Sequence, residues 1–373
     1  MITIKEVSTK KEWSVFFDFP HDLYKDNEYY VPSLLGDEKT NFNPKKNPAY
    51  EHCESIAFLA YKEKRVVGRI AGIINHKLNE GQHTRYARFT RYDVIDDIEV
   101  SRSLIDAVTL WGVSKGMNQL IGPIGFSDLD KQGLLVEGFD QLSMFITLYN
   151  HPYYAQHLES LGFVKDADWL EYKVFVPETI DERIARISEI AQKRQGFKLL
   201  TFTKKKDVLK YTTEMFHMYN ESFSQLYGFF PLNDRQIALA VSQFYSLVTL
   251  DYLYIVVDKE DQVIGFGIMV PSLSQAIKKS NGRLFPFGFI RVLRALKSSD
   301  VLDMLLIAVK PEYFGRGVNA LILQKGIEVA MANGVKYAET GPELETNEMV
   351  RAQWKGFETE QHKRRRCYIK PIA

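Results

Sequence analysis

Gly315, Arg316 and Gly317 stand between an apolar run, Met304 to Val309, and a stretch in which Ala320, Leu323, Ile327 and Ala330 recur at helical spacing. A join of this kind suits anion binding. The first N–H groups of a helix have no intrahelical partner and carry the positive end of its dipole. Gly317 would let the backbone approach a phosphate, and Arg316 adds a formal positive charge. The same pattern also fits an ordinary strand-to-helix turn whose glycines serve geometry alone.

The elements that would position this loop can be followed along the chain. Leu302 to Met331 reads as strand, glycine loop and helix. The first half opens with a short strand, a helix from Lys11 to Phe17, and an aromatic loop broken by Pro20 and Pro32. Ser55 to Lys62 and Arg65 to Ile74 flank a tight turn and read as a hairpin. A strand (Arg85 to Ile95), a helix carrying Leu104, Val108 and Trp111, and a strand at Gln119 to Gly122 follow. A short helix then leads to Gly162-Phe163 and a closing strand from Trp169 to Phe175. After a charged helix the order repeats: strand, helices, a hairpin around Asp258 to Asp261, the glycine-loop strand, helix, strand, short helix, Gly356-Phe357 and strand. Asn150 and Asn347 precede the two Gly-Phe pairs in matching places. The repeat predicts a duplicated domain, with residues 1–177 as the first copy, 178–196 as a linker helix and 197–373 as the second.

Composition narrows the function classes. With 48 basic and 47 acidic residues the net charge is +1, which argues against a polybasic nucleic-acid binder. Two distant cysteines, Cys53 and Cys367, offer no disulfide framework, and the scattered histidines predict no metal site. No apolar run approaches the ~18 residues of a membrane span, and the N-terminus lacks a signal-peptide core, so the cytoplasm is the expected location.

This order of elements resembles the GNAT superfamily of acetyl-CoA-dependent N-acyltransferases, in a tandem two-domain form with a degenerate N-terminal domain. The resemblance implies an α/β (α+β) fold of two tandem GNAT-like domains, each with a mixed, mostly antiparallel sheet flanked by helices. The family's loop reads Gln/Arg-x-x-Gly-x-Gly/Ala. Here Gly317 matches, while Phe314 stands at the first position and Asn319 at the last. The implied cofactor-binding set is Ile307, Ala308 and Val309 on the strand, Phe314, Gly315, Arg316, Gly317, Val318 and Asn319 in the loop, and Asn347. The first half passes from its strand through Asp97 and Glu99 into a helix with no glycine loop, and those acids would repel a pyrophosphate.

The resemblance further implies acyl transfer from acetyl-CoA or another acyl-CoA to a small-molecule or peptide amine held between the two halves. That chemistry needs a neutral amine, a polarised carbonyl and a protonated leaving thiol. The family's usual base position falls on Leu305. Asp303, Glu339, Glu343 and Glu345 are substitutes, each also readable as a solvated or structural carboxylate. The usual tyrosine acid falls on Trp354, or on Ala352 counted back from Gly356; Tyr313 and Tyr337 are replacements, each also readable as a packing aromatic. The missing base and acid favour an alternative, a non-catalytic or CoA-sensing tandem protein. A third reading, transfer from aminoacyl-tRNA, is opposed by the near-zero net charge, and no nucleic acid is expected as a partner. The stretch Ser272 to Asp300 mixes bulky apolar residues with regular cations. It could cover an acceptor cleft, hold an acyl chain, lie on an acidic membrane surface, or pack as an ordinary helix.

Overall fold

The computed structural model describes residues 1–372. In chain order its elements are β1 (Ile2–Glu6), α1 (Lys10–Leu23), α2 (Leu35–Asn41), β2 (Cys53–Lys62), β3 (Arg65–Asn75), α3 (His76–Gly81), β4 (Tyr86–Val94), α4 (Ile98–Ser114), β5 (Gln119–Gly122), β6 (Leu134–Glu137), α5 (Tyr153–Ser160) and β7 (Val164–Phe175). There follow α6 (Glu182–Lys193), β8 (Lys198–Leu200), α7 (Lys205–Ser222), α8 (Asp234–Phe244), β9 (Leu253–Val257), β10 (Val263–Pro271), α9 (Ser274–Lys278), α10 (Gly288–Ala295), β11 (Val301–Val309), α11 (Val318–Ala332), β12 (Tyr337–Thr340), β13 (Glu343–Leu344), α12 (Glu348–Ala352) and β14 (Thr359–Pro371). Among the described residues no helix is long and apolar enough to cross a membrane.

The chain divides into two units. The first comprises Met1–Leu170, Ser274–Phe289 and the chain from His362 on; the second comprises Glu171–Leu273 and Ile290–Gln361. This differs from the expected segmentation at 177 and 197. The cut falls inside β7, and two stretches late in the sequence join the first unit. Strand pairing is the reason. Tyr368 to Pro371 of β14 pair antiparallel with Gly122 to Gln119 of β5, whereas Lys173 to Phe175 of β7 pair antiparallel with Glu339 to Tyr337 of β12.

In the first unit β1, β2, β3 and β4 are antiparallel neighbours, and β5 runs parallel to β4. A parallel pair needs a crossover, which α4 supplies. Its apolar face, with Val100, Leu104 and Val108 fully buried, joins Ile70, Phe89 and Tyr154 in the core. The second unit repeats the plan: β8, β9, β10 and β11 are antiparallel, β12 is parallel to β11, and α11 is the crossover. Val318, Leu321 and Ile322 of α11 pack with Val256 and Ile264.

Helix α1 runs through Pro20 to Leu23 rather than stopping at Phe17. Proline lacks the N–H that would bond the carbonyl four residues earlier. That carbonyl, Phe16 O, instead accepts from the Arg69 guanidinium at 2.7 Å. A tertiary donor replaces the missing bond, and the helix continues.

Candidate active site

In the second unit β11 and β12 pair only from Val301 to Met304, opposite Tyr337 to Thr340. The Gly341 N–H then bonds Met304 O at 3.1 Å, and β11 continues to Val309 alongside β10 alone. The outer edge of β11 is therefore open from Leu305 onward. Met304, Leu305, Leu306 and Ile307 are all partly exposed. Leu306 and Ile307, beyond the bulge at Leu305, face opposite sides of the strand, so both faces of this apolar stretch meet solvent. Lys310 N–H bonds Ile264 O at 3.0 Å. Antiparallel alternation then turns the Ala308 backbone toward β10 and the Ile307 and Val309 backbones toward the open edge. The Ser222 hydroxyl, bonding Val309 O at 3.1 Å, fits that orientation.

The loop after β11 carries Gly315 at φ 71° and Gly317 at φ 91°. Gly317 is the N-cap of α11, with no side-chain cap bond and no acid in the first turn. A Cβ at Gly317 would meet Ala191 Cβ at 2.9 Å, whereas one at Gly315 would meet nothing within 4 Å. The loop is thus packed on α6 at one glycine and open at the other. Arg316 donates to Gln195 Oε1 at 2.7 Å and lies over the rings of Tyr313 and Phe197, at 4.8 and 5.3 Å. Phe314 and Asn319 are exposed and Val318 is buried. A 15-residue helix that starts with no side-chain cap and no acid in its first turn suits a diphosphate.

Of the carboxylates, Asp303 and Glu339 are buried opposite one another in the parallel pair, inside the zipped part of the strands. Glu345 lies beyond β13, half-buried. Glu343 accepts the Trp354 indole N–H at 2.9 and 3.2 Å. Burial pushes its carboxyl up to about 7, against the lowering effects of Trp354 and Arg351. In the sequence Glu343 is one of four substitute acids; what sets it apart, a half-buried carboxyl bonded to an indole, exists only in the fold.

Tyr313 donates its hydroxyl to Asp258 Oδ2 at 2.9 Å, and this bond raises its ionisation above the ordinary phenol range. Tyr337 opposes Val301, at the end of β11 away from the glycine loop. Asn347 caps α12 by accepting from Val350 N at 3.3 Å, and Trp354 is buried. The matching Asn150 in the first unit does different work, clamping both backbone groups of Leu135.

The corresponding opening of the first unit is filled. β4 and β5 pair from Tyr86 to Arg88, and β4 then runs on with every residue to Val94 buried. Val94 N–H donates to the Tyr154 hydroxyl at 2.8 Å, and Val94 O accepts from Tyr153 at 2.7 Å. Tyr154 meets the Tyr24 hydroxyl, which donates to Asp93, itself bound to Arg69. At the start of α4 the Asp97 carboxylate accepts from Glu99 N at 3.0 Å and pairs with Lys62. Tyrosine hydroxyls and a carboxylate of the chain itself thus occupy the strand edge and helix terminus that the second unit leaves open.

No protein-family model matches the chain. It is 29% identical over 378 residues to Protein YghO of Escherichia coli, covering 99% of this chain and 95% of that one. It is 27% identical over 364 residues to the bacterial ceramide synthase of Caulobacter vibrioides, covering 94% and 92%. Among solved structures, a tandem GNAT protein from the clavulanic acid biosynthesis pathway superposes with a TM-score of 0.58 at 11% identity, covering 100% of this chain and 99% of that one. A GCN5-related N-acetyltransferase from Anabaena variabilis gives 0.52 at 9% identity, covering 100% and 73%. At such identities the likeness is one of architecture alone: the chain has the tandem GNAT fold.

Proposed function

We propose that the chain is an acyl-CoA-dependent N-acyltransferase whose donor binds the second unit and whose acceptor is a long-chain amine. The observation that carries this reading is the open edge of β11, apolar on both faces, ending in the uncapped helix terminus at Gly317. The relative named a bacterial ceramide synthase supports it, since a ceramide is an amide and the name describes N-acylation.

The fit of an acyl-CoA rests on this chain's own groups. The first-turn N–H groups of α11, with Arg316 beside them, suit the diphosphate, and the outward backbone of Ile307 with the Val309 N–H suits the amide-bearing arm, the Val309 carbonyl being engaged by Ser222. The thioester supplies the acyl group. The Ile307 N–H, turned toward the open edge, is the proposed donor to the thioester carbonyl. Glu343 is favoured over Asp303, Glu339 and Glu345 as the base that takes a proton from the acceptor's ammonium, because it stands two residues beyond the Gly341–Met304 bond at which the β11 edge opens and its ionisation lies near neutrality. Tyr313 is committed to Asp258, so departure of the thiolate without a tyrosine acid is the simpler course, thiols being far more acidic than alcohols.

The second reading, a CoA sensor, is favoured by Trp354, which has no acidic proton to give. One experiment separates the two. Acyl-CoAs from acetyl to long-chain are each paired with short polyamines, a peptide amine and a long-chain amino alcohol, and free thiol and amide product are followed. The enzyme reading expects thiol release that requires the long-chain amine. Binding of acyl-CoA without release across the whole panel would leave the sensor; absence of binding would end both.

A further inference from the structure

From residue 262 to 299 the sequence contains no Asp or Glu, although the chain as a whole carries only +1. The cations of this stretch are Lys278, Lys279, Arg283, Arg291, Arg294 and Lys297. Its first part is pinned within the first unit. Leu35 N–H bonds Gly282 O at 3.0 Å, Arg283 pairs with Asp18 at 2.8 Å, and the Lys278 ammonium donates to Glu28 O. Beyond these anchors the chain displays Phe285 and Phe287, 80% and 70% exposed, then Phe289, Ile290 and Leu293 at 39%, 37% and 52%. The rings of Phe285 and Phe289 lie 5.9 Å apart.

Helix α10 has an inward side, since Val292 is buried, and Phe289 and Leu293 are not on it. Four residues apart, they share one outward face, and Arg294 follows Leu293 a single step around the helix. Most other exposed large apolar residues, Val164, Leu209 and Met349 among them, stand singly. Here five fall within nine residues, flanked only by positive charge. A second copy of the chain would bring the same cations against themselves in a two-fold contact. An anionic bilayer surface instead accepts aromatic side chains at headgroup depth and arginine or lysine above them.

We propose that residues 283–297 dock the protein on an anionic lipid bilayer, with Phe285 and Phe287 entering the interfacial layer and Arg294 and Lys297 lying over the headgroups. This stands on the segment alone and does not depend on the acyl-transfer reading.

The test is co-sedimentation of the full chain with vesicles of phosphatidylcholine, alone and mixed with phosphatidylglycerol. Partitioning onto the mixed vesicles is expected to exceed that onto phosphatidylcholine by about tenfold or more and to weaken as salt is added. Phe285→Ser/Phe287→Ser and, separately, Arg294→Glu/Lys297→Glu are each expected to lower partitioning about tenfold without changing the thermal melt. Failure of the unmodified chain to partition, or undiminished partitioning of both variants, would overturn the proposal. So would a concentration-dependent dimer in ultracentrifugation that the serine variant abolishes, with no vesicle binding, since this would assign the patch to a second copy.

Discussion

Glu343 links protonation to stability and, as the proposed base, to rate. If it is the base, kcat/KM should rise with pH through about 7. Glu343→Gln should lower kcat about 10²-fold and remove that limb, measured in steady-state profiles of thiol release. Trp354→Phe deletes a donor that favours the carboxylate, so the limb should move to higher pH. Stability follows with its own sign. The folded carboxyl binds a proton more tightly than the unfolded one, so wild type should lose stability as pH rises from roughly 4.3 to about 7. Glu343→Gln should escape that loss, and melting curves over the range would show whether it does. In the sequence Glu343 stands undistinguished among four acids, because the indole that bonds it lies eleven residues further on, in the turn after α12.

Among the elements, the loop between β11 and α11 offers a controlled comparison. Gly315 and Gly317 share a positive φ, but only Gly317 has neighbours at its missing Cβ. Gly315→Ala should cost about 1 kcal/mol from backbone strain. Gly317→Ala should cost more, since Ala191 and Ile187 must also move, and it should weaken acyl-CoA binding; denaturant titration and calorimetry measure the two effects. Strand, loop and helix were legible from the apolar run and the glycines. What α6 does to Gly317 was not, because a charged amphipathic stretch ahead of the second half announces a helix without saying where it packs. Pro20 illustrates the converse. Local rules ended α1 too early because the donor that rescues it, Arg69, is distant in sequence.

At the scale of the whole molecule, duplication predicts two cofactor sites, and the filled edge of the first unit leaves only the proposed one in the second. Calorimetric titration should give one acyl-CoA per chain, and a stoichiometry of two would contradict the filled first unit. Tyr154→Phe should not create a second site, but should cost about 1–3 kcal/mol by breaking the chain of hydroxyls between Val94 and Asp93. The degenerate character of the first half was legible in Asp97 and Glu99. The tyrosines that fill it were not, because Tyr24, Tyr153 and Tyr154 come together only after folding.

The pairing of β14 with β5 also bears on how the protein is made. Synthesis runs from the N-terminus, yet the residues that close the β5 edge, Tyr368 to Pro371, emerge after some 240 others. Throughout that interval the nascent first unit carries an unpaired strand edge, the kind that recruits neighbouring chains. A gene cut after residue 177 should therefore yield an aggregating polypeptide rather than a small domain, and adding residues 362–372 in trans should improve its recovery in the soluble fraction. Order of translation and order of folding are uncoupled in this chain, and its N-terminal unit is the one that has to wait.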